Sequence, residues 1–161
     1  MFKTRMANIN DLSFLKKMLF EASYWRQNIS KPDFEQGLQR ADLKYLLEDW
    51  GRKGDTGIIA EDDSDNPIGA AWYRFWTEEK HSYGYINESI PELTLAVSEE
   101  WRGKGIGREL IKRLIAEAKN QNLTKVSLSV EKENFAVNLY QKVGFKIYID
   151  NPGDYIMLWE A

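Results

Sequence analysis

"LTLAVSEEWRGKGIGRELIKRLI", residues 93–115, is the stretch on which the fold turns. With Glu92 before it, "ELTLAV", residues 92–97, reads as a buried strand. Ile106, Leu110, Ile111, Leu114 and Ile115, continued by Ala118, recur at helical spacing and make one apolar stripe. Between strand and helix lie Gly103, Gly105 and Gly107, an unusual choice where a helix begins. A strand that enters a helix through such a turn gathers several backbone N–H groups at one point. The helix N-terminus adds partial positive charge, so that point favours phosphate. Glycine permits the tight backbone angles and a close approach. Arg102, Lys104 and Arg108 add charge at the same edge. A plainer reading stays open beside this one, a helix entry that uses glycine only for close packing.

Two phosphate-binding patterns are excluded. A GxxxxGK motif followed by Ser or Thr is absent. A GxGxxG fingerprint belongs near the first strand, whereas these glycines are evenly spaced and lie in the second half of the chain.

The totals narrow the classes further. The chain has 161 residues and is 43% hydrophobic, enough for one domain over residues 1–161 with a substantial core. Its 22 Lys and Arg against 25 Asp and Glu give a net charge of −3, without the basic footprint of a nucleic-acid binder. There is no cysteine and one histidine, His81. Thiol nucleophiles and disulfides are therefore ruled out, and a His-based zinc site or serine triad is disfavoured. No apolar run nears the roughly 20 residues of a membrane span, and the N-terminus lacks a signal-peptide core. The expected location is the cytoplasm, with no membrane or nucleic-acid partner.

Working outward from 93–115, residues 2–7 predict a first strand. Asn10 then offers an N-cap to a helix carrying Leu12, Leu15, Met18 and Leu19. Pro32 predicts the start of a second helix with Phe34, Leu38, Leu43, Leu46 and Leu47 on its buried side, ended by Gly51 and Gly54. "TGIIAEDD" and "PIGAAWYRFW" read as a hairpin across the turn "DSDNP". Residues 77–90 form a loop. After the 93–115 unit come a strand, "KVSLSV", and a short helix, "NFAVNLYQKVGF", with Asn134 as N-cap and Gly144 beyond its end. "FKIYID" and "YIMLWE" close the chain as two strands. The expected order is β-α-α-β-β-β-α-β-α-β-β, an α/β arrangement around one mixed sheet.

The pattern Arg-x-x-Gly-x-Gly, here Arg102, Gly105 and Gly107, resembles the acyl-CoA signature of the GNAT superfamily of N-acetyltransferases. The whole 93–115 unit is similar to that family's strand-loop-helix. "LSVEKENFAVNLYQKVGF" is similar to its second unit, with Asn134, Ala136, Tyr140, Gly144 and Phe145 in place. The detailed likeness covers about residues 93–146, and the element order agrees over nearly the full chain.

The resemblance implies direct transfer of acetyl from acetyl-CoA to an amine. It implies that the pyrophosphate sits on backbone amides from Arg102 through Gly103, Lys104, Gly105, Ile106 and Gly107 to Arg108. It also implies that the pantetheine arm pairs with the edge of Leu95, Ala96 and Val97, with the Val97 amide as oxyanion donor. Tyr140 matches the family's general acid, since a phenol near pKa 10 suits a leaving thiol near 8.5. By spacing alone Tyr140 belongs to a core stripe with Ala136, Leu139 and Val143. Asn134 matches a position that contacts the CoA arm, and it can cap its helix at the same time. A homodimer is compatible with the family.

An amine must lose a proton before it attacks. Glu92, at the start of the central strand, is the first candidate base, with Glu88 and His81 as alternatives and the option of no side-chain base at all. The acceptor pocket is expected from the first two helices and the 77–90 loop. These, with the end of the strand before the loop, carry Tyr24, Trp25, Trp72, Trp76, Tyr83 and Tyr85, with Glu78, Glu79 and Glu88 among them, a set suited to a cation if it is not simply core and surface. The rival reading is a CoA-binding module without catalysis.

Overall fold

A computed structural model describes all 161 residues. Seven strands form one mixed sheet in the order β1-β2-β3-β4-β5-β7-β6. They are β1 (Phe2–Met6), β2 (Thr56–Asp62), β3 (Pro67–Arg74), β4 (Glu92–Val97), β5 (Lys125–Glu131), β6 (Lys146–Asp150) and β7 (Asp154–Glu160). The helices are α1 (Leu12–Ser23), α2 (Phe34–Leu38), α3 (Ile106–Asn120) and α4 (Ala136–Lys142). The expected α/β order is the observed one.

β1 to β4 run as an antiparallel meander once the helices are set aside, and β4 pairs with β5 in parallel. That parallel pairing has a single register pair, Glu92 with Ser127, after which the two strands part. One face of the sheet packs on α3, whose stripe of Ile106, Leu110, Ile111, Leu114, Ile115 and Ala118 is buried as predicted. The other face packs on α1 through Leu15, Met18 and Leu19, together with Leu43, Leu47 and Trp50.

Two local expectations are corrected. The cap before α1 is Asn8, not Asn10. Asn8 Oδ1 accepts the Asn10 N–H at 2.8 Å, and Asp11 Oδ2 accepts the Asn8 N–H at 2.7 Å, which closes a capping box. The second helix ends at Leu38, and residues 39–51 form successive turns. Leu43 and Leu47 are still buried. The carbonyls of Leu46 and Glu48 turn inward and accept from the Arg74 guanidinium at 2.9 and 2.8 Å, so they are drawn away from a helical ladder. A buried cation on a distant strand overrides the local helical spacing.

Candidate active site

Where β4 and β5 diverge, a cleft of about 1220 Å³ passes through the sheet. The Ser98 N–H bonds to the Ile68 carbonyl, at 2.8 Å, which fixes the alternation along β4. Ala96 and Thr94 present their amides to β3, while Leu95 and Val97 present theirs to the gap. The Val97 carbonyl is already held by Arg102 Nε at 3.0 Å, which leaves its N–H facing the cleft. A strand edge buried without a partner is costly, so this edge is built to receive a polar chain.

The three glycines divide their work. Gly103 and Gly105 have φ of 75° and 83°, a left-handed backbone that favours glycine, and open space surrounds both. Gly107 lies in the first turn of α3, where an added Cβ would stand 3.2 Å from Leu139 Cδ2. Close packing thus accounts for Gly107, while Gly103 and Gly105 are set by backbone conformation and leave their surroundings open. No side chain caps α3, so its first amides are free toward the cleft mouth. Arg108 lines the cleft. Arg102 does so too, but its Nη2 donates to Glu21 Oε2 at 2.9 Å and ties the loop to α1. Lys104 lies outside the lining, with its ammonium 5.0 Å from the Trp101 ring centroid.

Asn134 and Tyr140 line the cleft from the opposite side. Regular helix starts at Ala136, one residue later than a cap at Asn134 requires, yet Asn134 Oδ1 still accepts the Ala136 N–H at 2.9 Å. Its carboxamide NH2 is not used by this cap. Tyr140 is 6% exposed and packs edge-on against Phe145, so it is both a core residue and a wall of the cleft. Burial alone pushes its phenol well above the ordinary value, so the hydroxyl is protonated at neutral pH.

Glu92 enters from the α1 side of β4. It is 8% exposed, and its Oε2 accepts the Gly84 N–H at 2.9 Å, whereas Oε1 is buried with no hydrogen-bond partner. Burial raises its pKa to about 7, against partial lowering by the Gly84 amide and by the nearby Ser82 and Trp76 side chains. Beside it lies a small cavity of about 20 Å³, bordered by Trp72, Arg74, Trp76 and Thr94 and large enough for one water.

The remaining expectations for this region change. His81 and Glu88 are exposed and do not line the cleft. The His81 ring stacks on Tyr85 at 4.3 Å. Of the aromatic set, Trp25 and Tyr83 reach the cleft. Trp72 and Trp76 are core residues behind it, and Tyr24 donates to the Gly37 carbonyl at 3.0 Å. Glu78 and Glu79 are exposed surface, and Tyr85, like them, is absent from the lining. The polar groups that do line the acceptor side are Arg26, Arg40 and Asp42, with Ser82 and Thr94. Arg26 bonds Glu131 and Glu133 across the cleft at 2.5 and 2.6 Å. Asp42 accepts from Arg40 at 2.5 Å and from the Tyr83 hydroxyl at 2.7 Å. Arg40 and Asp42 sit in the 39–51 turns and Arg26 in the loop after α1, where no local sequence signal marks them.

Comparison with known proteins agrees with this geometry. The model of the GNAT acetyltransferase family matches residues 23–145, and the chain belongs to that family. It is 30% identical over 114 residues to an L-methionine sulfoximine/L-methionine sulfone acetyltransferase of Pseudomonas aeruginosa. That match covers 70% of this chain and 63% of the relative's own length. A mycothiol acetyltransferase of Propionibacterium freudenreichii is 25% identical over 122 residues, or 74% of this chain and 37% of its own. Among solved structures, the PaiA N-acetyltransferase from Thermoplasma acidophilum, in complex with coenzyme A, superposes with a TM-score of 0.75. Its identity is 22%, with coverage of 100% of this chain and 99% of its own. No helix is long and apolar enough to cross a membrane.

Proposed function

We propose that the protein transfers the acetyl group of acetyl-CoA directly to a primary amine. The observation that carries this is the parting of β4 from β5 after one register pair, which opens the Leu95–Val97 edge between Tyr140 on one face and Glu92 on the other. Free amides at the α3 N-terminus and along the β4 edge, with the Asn134 carboxamide, fit the phosphates and amides of the CoA arm. Acetyl-CoA supplies an activated thioester. The Val97 N–H receives the developing oxyanion, Tyr140 delivers a proton to the departing sulfur, and Glu92 Oε1 takes one from the amine. A cleft open to both faces admits both substrates together, so no covalent enzyme intermediate is needed. The absence of cysteine and the use of acetyl-CoA fit a cytoplasmic protein.

The acceptor lies on the α1 side, beside Trp25, Arg26, Asp42 and Tyr83. Thiol release from acetyl-CoA, measured with a panel of amines, tests the proposal. The panel holds amino-acid derivatives of the methionine sulfoximine type, after the P. aeruginosa relative, with polyamines and peptide N-termini. Turnover with at least one acceptor, with the acetylated product identified by mass, is the expected result. Tight cofactor binding with no transfer to any amine would favour the non-catalytic module.

A further inference from the structure

The backbone of Gly84 sits where β4 and β5 separate. Its N–H donates to Glu92 Oε2 on β4 at 2.9 Å, and its carbonyl accepts from Ser127 Oγ on β5 at 2.7 Å. Ser127 is fully buried and its own N–H is held by the Pro91 carbonyl at 2.9 Å, so this anchor is rigid. An added Cβ on residue 84 would stand 2.7 Å from Glu92 Oε2 and 2.8 Å from both Leu128 C and Ser129 N. Two of these are backbone atoms that cannot move aside, so only glycine fits at this contact. The turn is thus pressed onto both strands, with one carboxyl oxygen pinned beneath it.

We propose that the Gly84 peptide and the Ser127 hydroxyl are positioning groups for Glu92, pinning Oε2 so that Oε1 is the oxygen that receives the amine proton. The inference rests on the reading of Glu92 as base, and deepens it. A donor to the charged form also favours ionisation, so the same contact keeps a buried carboxyl usable near neutral pH. Other groups facing Glu92 do not replace it. Arg74 on β3 is paired with Asp55, and the Tyr45 hydroxyl, from the turns after α2, donates to the His81 carbonyl. On β5 the facing residue is the neutral Ser127.

The test uses the full-length protein labelled with carbon-13 at the glutamate carboxyl, the Glu92 resonance being assigned by its loss in Glu92→Gln. Ser127→Ala leaves the Gly84 carbonyl unanchored and loosens its N–H from Oε2. A carboxylate base gives the pH–rate profile a lower inflection set by its own pKa. The Glu92 titration midpoint and that lower inflection are expected to rise together, by roughly half to one pH unit. Ser127→Cys keeps the volume with a weaker donor, and its midpoint falls between the two. An unmoved Glu92 midpoint in folded Ser127→Ala or Ser127→Cys overturns the positioning role, even if stability drops. A midpoint that moves while the rate profile does not upholds the pinning of Oε2 but removes Glu92 as the base, and with it the proton-receiving role of Oε1.

Discussion

Arg74 and Glu92 face each other across β3 and β4, and they do not pair. The guanidinium turns instead to Asp55, with Nε to Oδ1 and Nη2 to Oδ2 both at 2.9 Å, and completes its set on the two carbonyls of the 39–51 turns. Side chains at paired positions share one face of the sheet, so this cation is the natural partner for the Glu92 carboxylate. Asp55 holds it elsewhere. Without a cation, the buried carboxyl keeps a pKa raised by desolvation, as a general base working near neutrality requires.

Replacing Asp55 with Asn therefore frees Arg74 to turn toward Glu92. An ion pair there lowers the Glu92 pKa, and the lower inflection of the pH–rate profile moves below 7 as turnover falls. Breaking a buried pair also costs roughly 3–5 kcal/mol of stability. Thermal melts and pH profiles of Asp55→Asn, alone and combined with Glu92→Gln, measure both effects. Asp55→Asn that loses stability while its inflection stays in place would show that Arg74 does not reach Glu92.

Glu92→Gln should abolish the lower inflection and cut turnover by roughly 10²- to 10⁴-fold, with acetyl-CoA affinity unchanged. It should also change how stability depends on pH. In the unfolded chain this carboxyl ionises near its ordinary 4.5, and in the folded one near 7. Between those values the native state holds the extra proton, so wild-type stability falls as pH rises through the window. The loss is complete above it and is of order 3 kcal/mol, at about 1.4 kcal/mol per pKa unit. Glutamine carries no charge and escapes that loss. Melts at pH 5 and pH 8 should show Glu92→Gln gaining on wild type at the higher value.

Tyr140→Phe keeps the ring against Phe145 and removes only the hydroxyl. Turnover should drop by about ten- to a thousand-fold with little change in cofactor affinity. A melting temperature that falls while turnover per folded molecule is unchanged would leave Tyr140 as a core residue alone.

Gly107→Val places a branched side chain against Leu139, beside Leu95 and Val97, all three of which line the cleft. Acetyl-CoA affinity, measured by calorimetry, should fall at least tenfold, while circular dichroism shows the fold retained. Unchanged affinity would remove Gly107 from the cofactor path.

Element order and the two central units were legible because each depends on periodicity and on glycines at fixed offsets. The α3 stripe and the 102–108 turn are local facts. Tyr140 and Asn134 were legible only through resemblance, since their spacing fits a core stripe and a helix cap equally well. The turns at 39–51 were misread as helix because their geometry is imposed by Arg74, whose partners lie 19 to 28 residues away in sequence. Of the two readings open for Trp72 and Trp76, pocket wall or core, the core one holds: strand pairing turns Trp72 into the α1 core, and Arg52 and Arg74 pack over Trp76. Nothing near Arg26 or Asp42 in the sequence marks them, because Glu131, Glu133 and Tyr83 meet them only after folding.

The lone register pair between β4 and β5 has a consequence for how the molecule comes apart. At the level of the backbone, β1–β4 and β5–β7–β6 are two plates hinged at Glu92 and Ser127, with the apolar core under α3 as the only wide seam between them. A cofactor arm lying along the Leu95–Val97 edge stitches the gap, and its binding energy adds to the free energy of unfolding. Amide exchange should therefore be faster in β5, β6 and β7 of the free protein than in β2 and β3, and should converge once acetyl-CoA is bound. Under the proposed function the cofactor arm is a removable eighth strand, and the unity of the sheet then depends on whether that arm is bound.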